Sequence, residues 1–232
     1  MAVGGKGRPH FQAAMRTLEL SALGGLDMVH GQLIRVLDAV ARTDLVLADF
    51  VIADDDRVDG RYLEVHQGVL SLLALQAPVA GDLRVVAAVL HLINAVERIG
   101  DQCVNIAKLI VLPTNGPPEN NEICERIQQM GAAAGDELVV ARQAFAERDV
   151  ELARSLAERD REVDRLDLEV FRLAVQAGED AELREWAMTM TLIARAIERV
   201  GGNACDIAEQ AIFVETGEFP ELASAGGRRS GP

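Results

Sequence analysis

Apolar residues recur every three or four positions along almost the whole chain, which is the spacing that places them on one face of an α-helix. Met15, Leu18, Leu26, Val29 and Leu33 show this period in the first such segment. The pattern predicts six long helices, over about 11–42, 45–77, 83–112, 122–148, 149–176 and 179–215. Short connections make consecutive helices antiparallel. The sequence therefore predicts an all-α fold.

Proline, glycine and asparagine mark the clearest interruption of this pattern, between Pro113 and Asn121. Such residues clustered between two periodic segments are typical of a linker. The two ends of the chain are Gly-rich and lack the helical period, so we expect them to be loose. The predicted division is a disordered N-terminus at 1–9, a three-helix bundle at 10–112, a linker at 113–121, a second three-helix bundle at 122–216 and a flexible tail at 217–232.

Three short motifs occur twice in the same order, about a hundred residues apart, and indicate an internal duplication. The motifs pair Asp55–Asp59 with Asp160–Asp164, Leu83-Arg84 with Leu183-Arg184, and Glu97–Gly100 with Glu198–Gly201. Each half is then an antiparallel three-helix bundle, and the two bundles follow each other in tandem. Helices of about thirty residues would form rods about 45 Å long.

The last predicted helix of each half carries a row of positions at four-residue spacing. The row consists of Glu97, Asp101 and Asn105 in the first half, and of Glu198, Gly202 and Asp206 in the second half. Residues four apart stack along one face of a helix. The preceding helix of each half adds a DxxxD pair, which is Asp55 with Asp59 in the first half and Asp160 with Asp164 in the second.

If the antiparallel helices align these faces, several carboxylates converge. Such carboxylates must be protonated, paired with arginine or neutralised by a cation. An oxygen-only ligand set suits Mg²⁺, Mn²⁺, Ca²⁺ or iron, whereas zinc is less suited because histidines and cysteines do not cluster here. A solvated helix face is the alternative for any single pair. The recurrence of both pairs in both halves favours a metal site.

Charge and hydropathy exclude several classes of partner. The formal net charge is −14 at pH 7, which argues against binding to nucleic acid or to an anionic membrane surface. The N-terminus has no apolar signal segment, and the most apolar run, Val85–Val96, is too short for a membrane span. The three cysteines lack CxxC spacing and suit buried positions in a reducing cytosol. We therefore expect a cytoplasmic protein.

The sequence contains none of the motifs GxGxxG, GxxxxGK[ST], GxSxG and HExxH. Its four histidines are scattered, and none completes the Glu-x-x-His motif of di-iron bundles. We therefore expect no enzyme, and a di-iron carboxylate enzyme ranks behind a binding or regulatory protein.

The run LLALQAPVAGDLR followed by ERIGDQCVNIA resembles the PhoU family of phosphate-specific transport system accessory proteins. In the second half, DREVD and ERVGGNACDIA resemble the same family, and the resemblance spans about 11–216. It implies two tandem three-helix bundles with multinuclear iron or zinc clusters at E(D)xxxD motifs. It also implies a regulator that couples a phosphate ABC transporter ATPase to a membrane sensor histidine kinase.

The candidate metal ligands are Asp55, Asp59, Glu97, Asp101, Asn105, Asp160, Asp164, Glu198 and Asp206, with iron, zinc, manganese or magnesium as the ion. The second half departs from the family pattern ERxxD, because Gly202 stands where the family usually has aspartate. Asp206, one turn further along, could compensate for the missing carboxylate. We expect the site with Glu97 and Asp101 to be filled if only one site is.

The leading hypothesis is a cytoplasmic, non-enzymatic, metal-binding negative regulator of phosphate uptake and phosphate-starvation signalling. The alternative is a helical adaptor of the same fold, with vestigial metal sites and different partners. The long apolar helix faces are also compatible with a homodimer.

Overall fold

The computed structural model of the chain describes residues 8–75, 78, 80–111, 122–176 and 181–222. All regular structure in this part of the chain is helical, which confirms the all-α prediction. The helices are α1 (Arg8–Arg42), α2 (Leu45–Leu75), α3 (Ala80–Leu109), α4 (Glu122–Glu147), α5 (Val150–Arg154), α6 (Leu156–Val175) and α7 (Ala181–Thr216). None of these described helices is both long and apolar enough to cross a bilayer.

The predicted N-terminal segment and the predicted linker lie mostly outside the described residues. Helix α1 begins at Arg8, within the segment predicted to be disordered, while residues 1–7 lie outside the described residues. The predicted linker at 113–121 also lies outside them.

The predicted helix over 149–176 is divided at Ser155 into α5 and α6. The hydroxyl of Ser155 donates a hydrogen bond to the backbone carbonyl of Leu152, at 2.7 Å. A hydroxyl that bonds to a carbonyl of the preceding turn often bends a helix. The apolar period continues across Ser155, which is why periodicity alone does not predict the division.

The turns that open the second helix of each repeat share one geometry. A residue in the left-handed region, Thr43 with a φ of 52° or Arg148 with a φ of 59°, precedes an aspartate. The carboxylates of Asp44 and Asp149 each accept a hydrogen bond from the backbone N–H three residues further on, at 3.0 and 2.9 Å. This arrangement satisfies an N–H that the first turn of a helix leaves unpaired. The duplication therefore extends to the turns.

The two bundles share one hydrophobic core. Helices α1, α2 and α3 pack together in the first repeat, and α4, α6 and α7 pack together in the second, with short α5 beside them. The repeats meet where α3 packs against α7 and where α1 packs against α4. Each of these contacts joins corresponding helices, as a two-fold relation between the repeats requires. Helices α3 and α7, which carry the Glu-Arg-x-Gly motifs, therefore lie between the other helices.

After α7 the chain folds back along the helix. Gly217 ends α7 in the left-handed region, with a φ of 81°, and its N–H donates to the carbonyl of Phe213 at 2.8 Å. The ring of Phe219 stacks on that of Phe213, with 4.0 Å between ring centroids. The predicted tail at 217–232 thus begins with residues that contact α7, and 223–232 lie outside the described residues.

The close contact between α1 and α4 generates a prediction. A Cβ on Gly131 of α4 would lie 2.4 Å from Cδ1 and 3.0 Å from Cγ of Leu37 on α1. Overpacking of a core costs about 1–3 kcal/mol, whereas replacing glycine by alanine in a helix gains about 1 kcal/mol of propensity. At exposed Gly60 of α2 a Cβ would meet nothing within 4 Å, so only the gain remains.

We therefore expect Gly131→Ala to be less stable than Gly60→Ala by about 1–3 kcal/mol. Urea unfolding of both variants and of the wild type measures this difference. Equal free energies of unfolding for the two variants would contradict the tight packing of the two repeats at this position.

Candidate metal centres

In the first repeat, α2 and α3 approach each other at Asp55 and Gly100. A Cβ on Gly100 would lie 3.0 Å from Oδ1 of Asp55 and 3.2 Å from Cγ1 of Val58. Glycine allows this close approach without displacing the neighbouring side chains. In the Glu-Arg-Ile-Gly motif, Glu97 therefore lies one helical turn before Gly100, where Asp55 of α2 contacts the backbone of α3.

Four of the five ligands predicted in the first repeat interact electrostatically. Burial, followed by the charges of Asp59, Asp101, Asp56 and Glu97, raises the pKa of Asp55 from 3.8 to about 6. Burial also raises the pKa of Glu97, and the charges of Asp101 and Asp59 act in the same direction. We refer to Asp55, Asp59, Glu97 and Asp101 as the first carboxylate set.

The second repeat repeats this arrangement around Gly201. A Cβ on Gly201 would lie 3.2 Å from Oδ1 of Asp160, which projects from α6 toward α7. Burial, followed by the charges of Asp164 and Glu198, raises the pKa of Asp160 from 3.8 to about 6. We refer to Asp160, Asp164 and Glu198 as the second carboxylate set.

Asn105 and Asp206 are the two predicted ligands outside these sets. Asn105 is exposed on α3, and a Cβ on Gly202 would have nothing within 4 Å. Burial raises the pKa of Asp206, while the positive charges of Arg98 and His91 act to lower it. Asp206 of α7 therefore lies beside cationic groups of α3, and its role as a replacement ligand stays a prediction.

Each set also faces a buried polar side chain that sequence reasoning missed. Gln32 on α1 and Glu137 on α4 are both 0% exposed, and among the described residues none of their side-chain nitrogen or oxygen atoms has a hydrogen-bond partner. Oε1 of Gln32 lies 3.6 Å from the position of a Cβ on Gly100, and Oε2 of Glu137 lies 2.7 Å from that of a Cβ on Gly201. The sequence does contain a sign of these residues. Each is a polar residue on an otherwise apolar helix face, and the two are separated by the same number of residues as the DxxxD motifs.

Glu137 is a buried carboxyl group whose pKa is strongly raised. Burial, followed by the charges of Asp160 and Asp164, raises the pKa of Glu137 from 4.5 to about 8, and Arg159 opposes this change. Glu137 thus belongs to the same electrostatic environment as the second carboxylate set.

Arginines near the two sets bind other carboxylates. Arg57 pairs with Asp54 at 2.8 Å, and Arg195 pairs with Asp167 at 3.0 Å. Within the described part of the chain, no arginine or lysine forms an ion pair with a member of either carboxylate set. Protein cations in direct contact therefore do not neutralise the negative charge of these sets.

The donor chemistry of both sets fits a hard cation. Every donor of the two sets is an oxygen atom, the neighbouring oxygens of Gln32 and Glu137 are buried and unpartnered, and a glycine leaves space on the facing helix. Across the described ranges, no three histidine, cysteine, aspartate or glutamate side chains already surround a common point as metal ligands would. Like charges repel, so side chains without a bound cation are expected to turn apart.

Comparison with known proteins gives a consistent result over most of the chain. A protein-family model described as the PhoU domain matches the chain twice, at residues 26–110 and 127–211. These two matches fall on the bundle of α1 to α3 and on the bundle of α4 to α7.

Two relatives carry the name phosphate-specific transport system accessory protein PhoU homologue. The one from Mycobacterium leprae is 31% identical over 222 residues, which cover 92% of this chain and 94% of the relative. The one from Caulobacter vibrioides is 32% identical over 215 residues, which cover 92% of this chain and 91% of the relative.

Two solved structures have the same architecture. The phosphate transport system regulatory protein PhoU from Streptococcus pneumoniae superposes with a TM-score of 0.82 and 26% identity, over 91% of this chain and 99% of that one. PhoU from Pseudomonas aeruginosa superposes with a TM-score of 0.84 and 25% identity, over 90% of this chain and 100% of that one.

The raised pKa of Glu137 predicts how the stability of the metal-free protein depends on pH. Between pH 4.5 and about 8 the folded protein keeps a proton on Glu137 that the unfolded chain has released. The folded state then binds more protons than the unfolded state, so its stability falls as pH rises through this window. One such proton corresponds to a slope of up to about 1.4 kcal/mol per pH unit.

We expect Glu137→Gln to flatten this slope, because the amide does not titrate. Urea unfolding in the presence of a chelator, at about pH 5.5 and about pH 7.5, measures it. Glu125→Gln changes an exposed residue of the same helix and should keep the wild-type slope. An unchanged slope in Glu137→Gln would contradict the buried titration.

Proposed function

Because the chain belongs to the PhoU family, we propose that it is a regulatory accessory protein of phosphate transport. The observation that carries this proposal is the double match to the PhoU domain, which includes both bundles. The relatives that bear the accessory-protein name align over nearly their whole length, so the proposal uses no part of them that this chain lacks.

The proposed role is to keep the phosphate-starvation response off when phosphate is plentiful. We propose that the protein acts in the cytoplasm and links the ATPase of a phosphate ABC transporter to a sensor histidine kinase. The names of the relatives support the link to a transport system. A net charge of −14 favours contact with basic protein surfaces over contact with nucleic acid.

Catalysis is not part of the proposed function. The chain has no Glu-x-x-His motif of the kind that di-iron bundles use. The family names of the relatives and of the solved structures describe an accessory or regulatory protein.

We propose that each carboxylate set binds a cation as part of this role. Asp55 and Asp59 of α2 would hold it together with Glu97 and Asp101 of α3. In the second repeat the second carboxylate set would hold another. A bound divalent or trivalent cation would balance the negative charge of these carboxylates. The support is the donor chemistry, the unpartnered charge and the glycine at each helix contact.

An adaptor of the same fold with vestigial metal sites is the second candidate. The observation that favours it is that three acidic side chains do not already surround a common point in the described residues. Metal analysis of the purified protein separates the two candidates.

The first carboxylate set predicts a loss of metal in Asp101→Asn. The substitution removes a charged ligand and keeps the side-chain volume. We expect metal affinity to fall by at least ~10-fold, since even residues that only support a ligand typically account for 10- to 100-fold. Elemental analysis and calorimetric titration with Mn²⁺ measure the change. Asp49→Asn, at an exposed position of α2, is the matched control, and equal metal in Asp101→Asn and wild type would refute the ligand role of Asp101.

The regulatory role predicts derepression when the gene is removed. We expect phosphate-starvation genes to be expressed in phosphate-rich medium, because the signal that keeps them off is lost. A transcriptional reporter measures the response, and the wild-type gene should restore repression.

A variant that combines Asp101→Asn with Asp164→Asn tests whether metal binding contributes to repression. Restoration by this variant equal to that by the wild type would support the adaptor alternative. Unchanged expression in a strain that also lacks every other member of the family would refute the regulatory role.

A further inference from the structure

The two repeats differ at two positions next to the glycine contacts between their helices. On the last helix, the first repeat has Asp101 where the second has Gly202. On the first helix, the first repeat has Gln32 where the second has Glu137. The second repeat thus lacks a carboxylate on α7 and has an additional one on α4, so that each repeat has four carboxylates when Glu137 is counted with the second carboxylate set.

The geometry places Glu137 at the second carboxylate set. Oε2 of Glu137 and Oδ1 of Asp160 lie 2.7 and 3.2 Å from one point, the position of a Cβ on Gly201. Oxygens from α4 and α6 therefore converge on the backbone of α7. The corresponding point at Gly100 has a carboxylate oxygen from α2 and the amide oxygen of Gln32.

Packing alone does not account for a carboxyl group at position 137. The side chain is 0% exposed, and neither carboxylate oxygen has a hydrogen-bond partner among the described residues. Burial of an unpartnered carboxylate is costly, whereas a cation would complete its coordination. Gln32, which has the same shape, occupies the corresponding place in the first repeat, so the site could be filled without a charge.

We propose that Glu137 is a ligand of the cation held by the second carboxylate set and that it replaces the aspartate missing at position 202. This inference rests on the proposed metal binding. It gives both repeats four charged ligands, with the fourth on α3 in the first repeat and on α4 in the second. Because Glu137 is fully buried and Asp101 is exposed, the second site is the more enclosed of the two.

The test moves the carboxylate from position 137 to position 202. Full-length protein is freed of metal with a chelator and loaded with Mn²⁺, and bound Mn²⁺ per chain is measured by elemental analysis and calorimetry. The variants are Glu137→Gln, the double variant Glu137→Gln with Gly202→Asp, and Asp136→Asn as a control at the exposed neighbouring residue. A side chain at position 202 meets no steric obstacle, because a Cβ there has nothing within 4 Å.

We expect Glu137→Gln to weaken Mn²⁺ binding at the second site by at least ~10-fold, leaving the first site filled. Gly202→Asp should restore the lost Mn²⁺, and Asp136→Asn should match the wild type. Circular dichroism and thermal unfolding without metal check that Glu137→Gln is folded. In the presence of Mn²⁺, its thermal midpoint should rise by less than that of the wild type.

Three negative outcomes have different meanings. Equal Mn²⁺ binding by wild type and Glu137→Gln would overturn the role of Glu137 and leave the proposed metal binding intact. A wild-type protein that binds no Mn²⁺, iron or zinc would overturn both. Loss of Mn²⁺ in Glu137→Gln without rescue by Gly202→Asp would overturn the exchange between the two positions.

Discussion

Carboxylates held against the backbone of a neighbouring helix are the constraint on which the rest of this structure depends. Oδ1 of Asp55 and Oδ1 of Asp160 lie 3.0 and 3.2 Å from where a Cβ on Gly100 or Gly201 would stand, so a side chain at either glycine would crowd this contact. A buried carboxylate loses the solvation that favours its charged form, and a second carboxylate nearby adds repulsion. Protonation or a bound cation would neutralise this charge, since no arginine or lysine of the described residues forms an ion pair with Asp55 or Asp160. Packing and chemistry are thus linked at the same two glycines.

The duplication preserves this constraint although the repeats differ in length. Residues of the first two helices correspond at a spacing of 105, as for Asp55 and Asp160, whereas the glycines of the last helices correspond at a spacing of 101. The difference of four residues is close to one helical turn of 3.6 residues. A change of about one turn between the second and third helices returns the last helix to nearly the same face. The carboxylate contact can therefore survive such a change.

Most of the fold was predictable from the sequence because long amphipathic helices give a strong period. The division at Ser155 was not, because it depends on one hydroxyl group and leaves the apolar period intact. Spacing along two helices was enough to predict that Asp55, Asp59, Glu97 and Asp101 are neighbours, and their role as metal ligands stays a prediction. Asp206 was placed by spacing alone, but its surroundings belong to the other repeat, which a pattern along one helix does not reveal.

Glu137 shows why a motif comparison of the repeats is incomplete. In an alignment of the two repeats, Gly202 takes the place of Asp101, and the second site has one carboxylate fewer than the first. In the folded protein, Glu137 on a different helix approaches the same glycine as Asp160 and supplies a further carboxylate there. Cation binding depends on how many oxygen ligands and charges meet at one point, not on which helix provides them. A substitution on α7 can therefore be offset by one on α4, 65 positions earlier in the chain, and the two sites need not share a ligand pattern to hold the same charge.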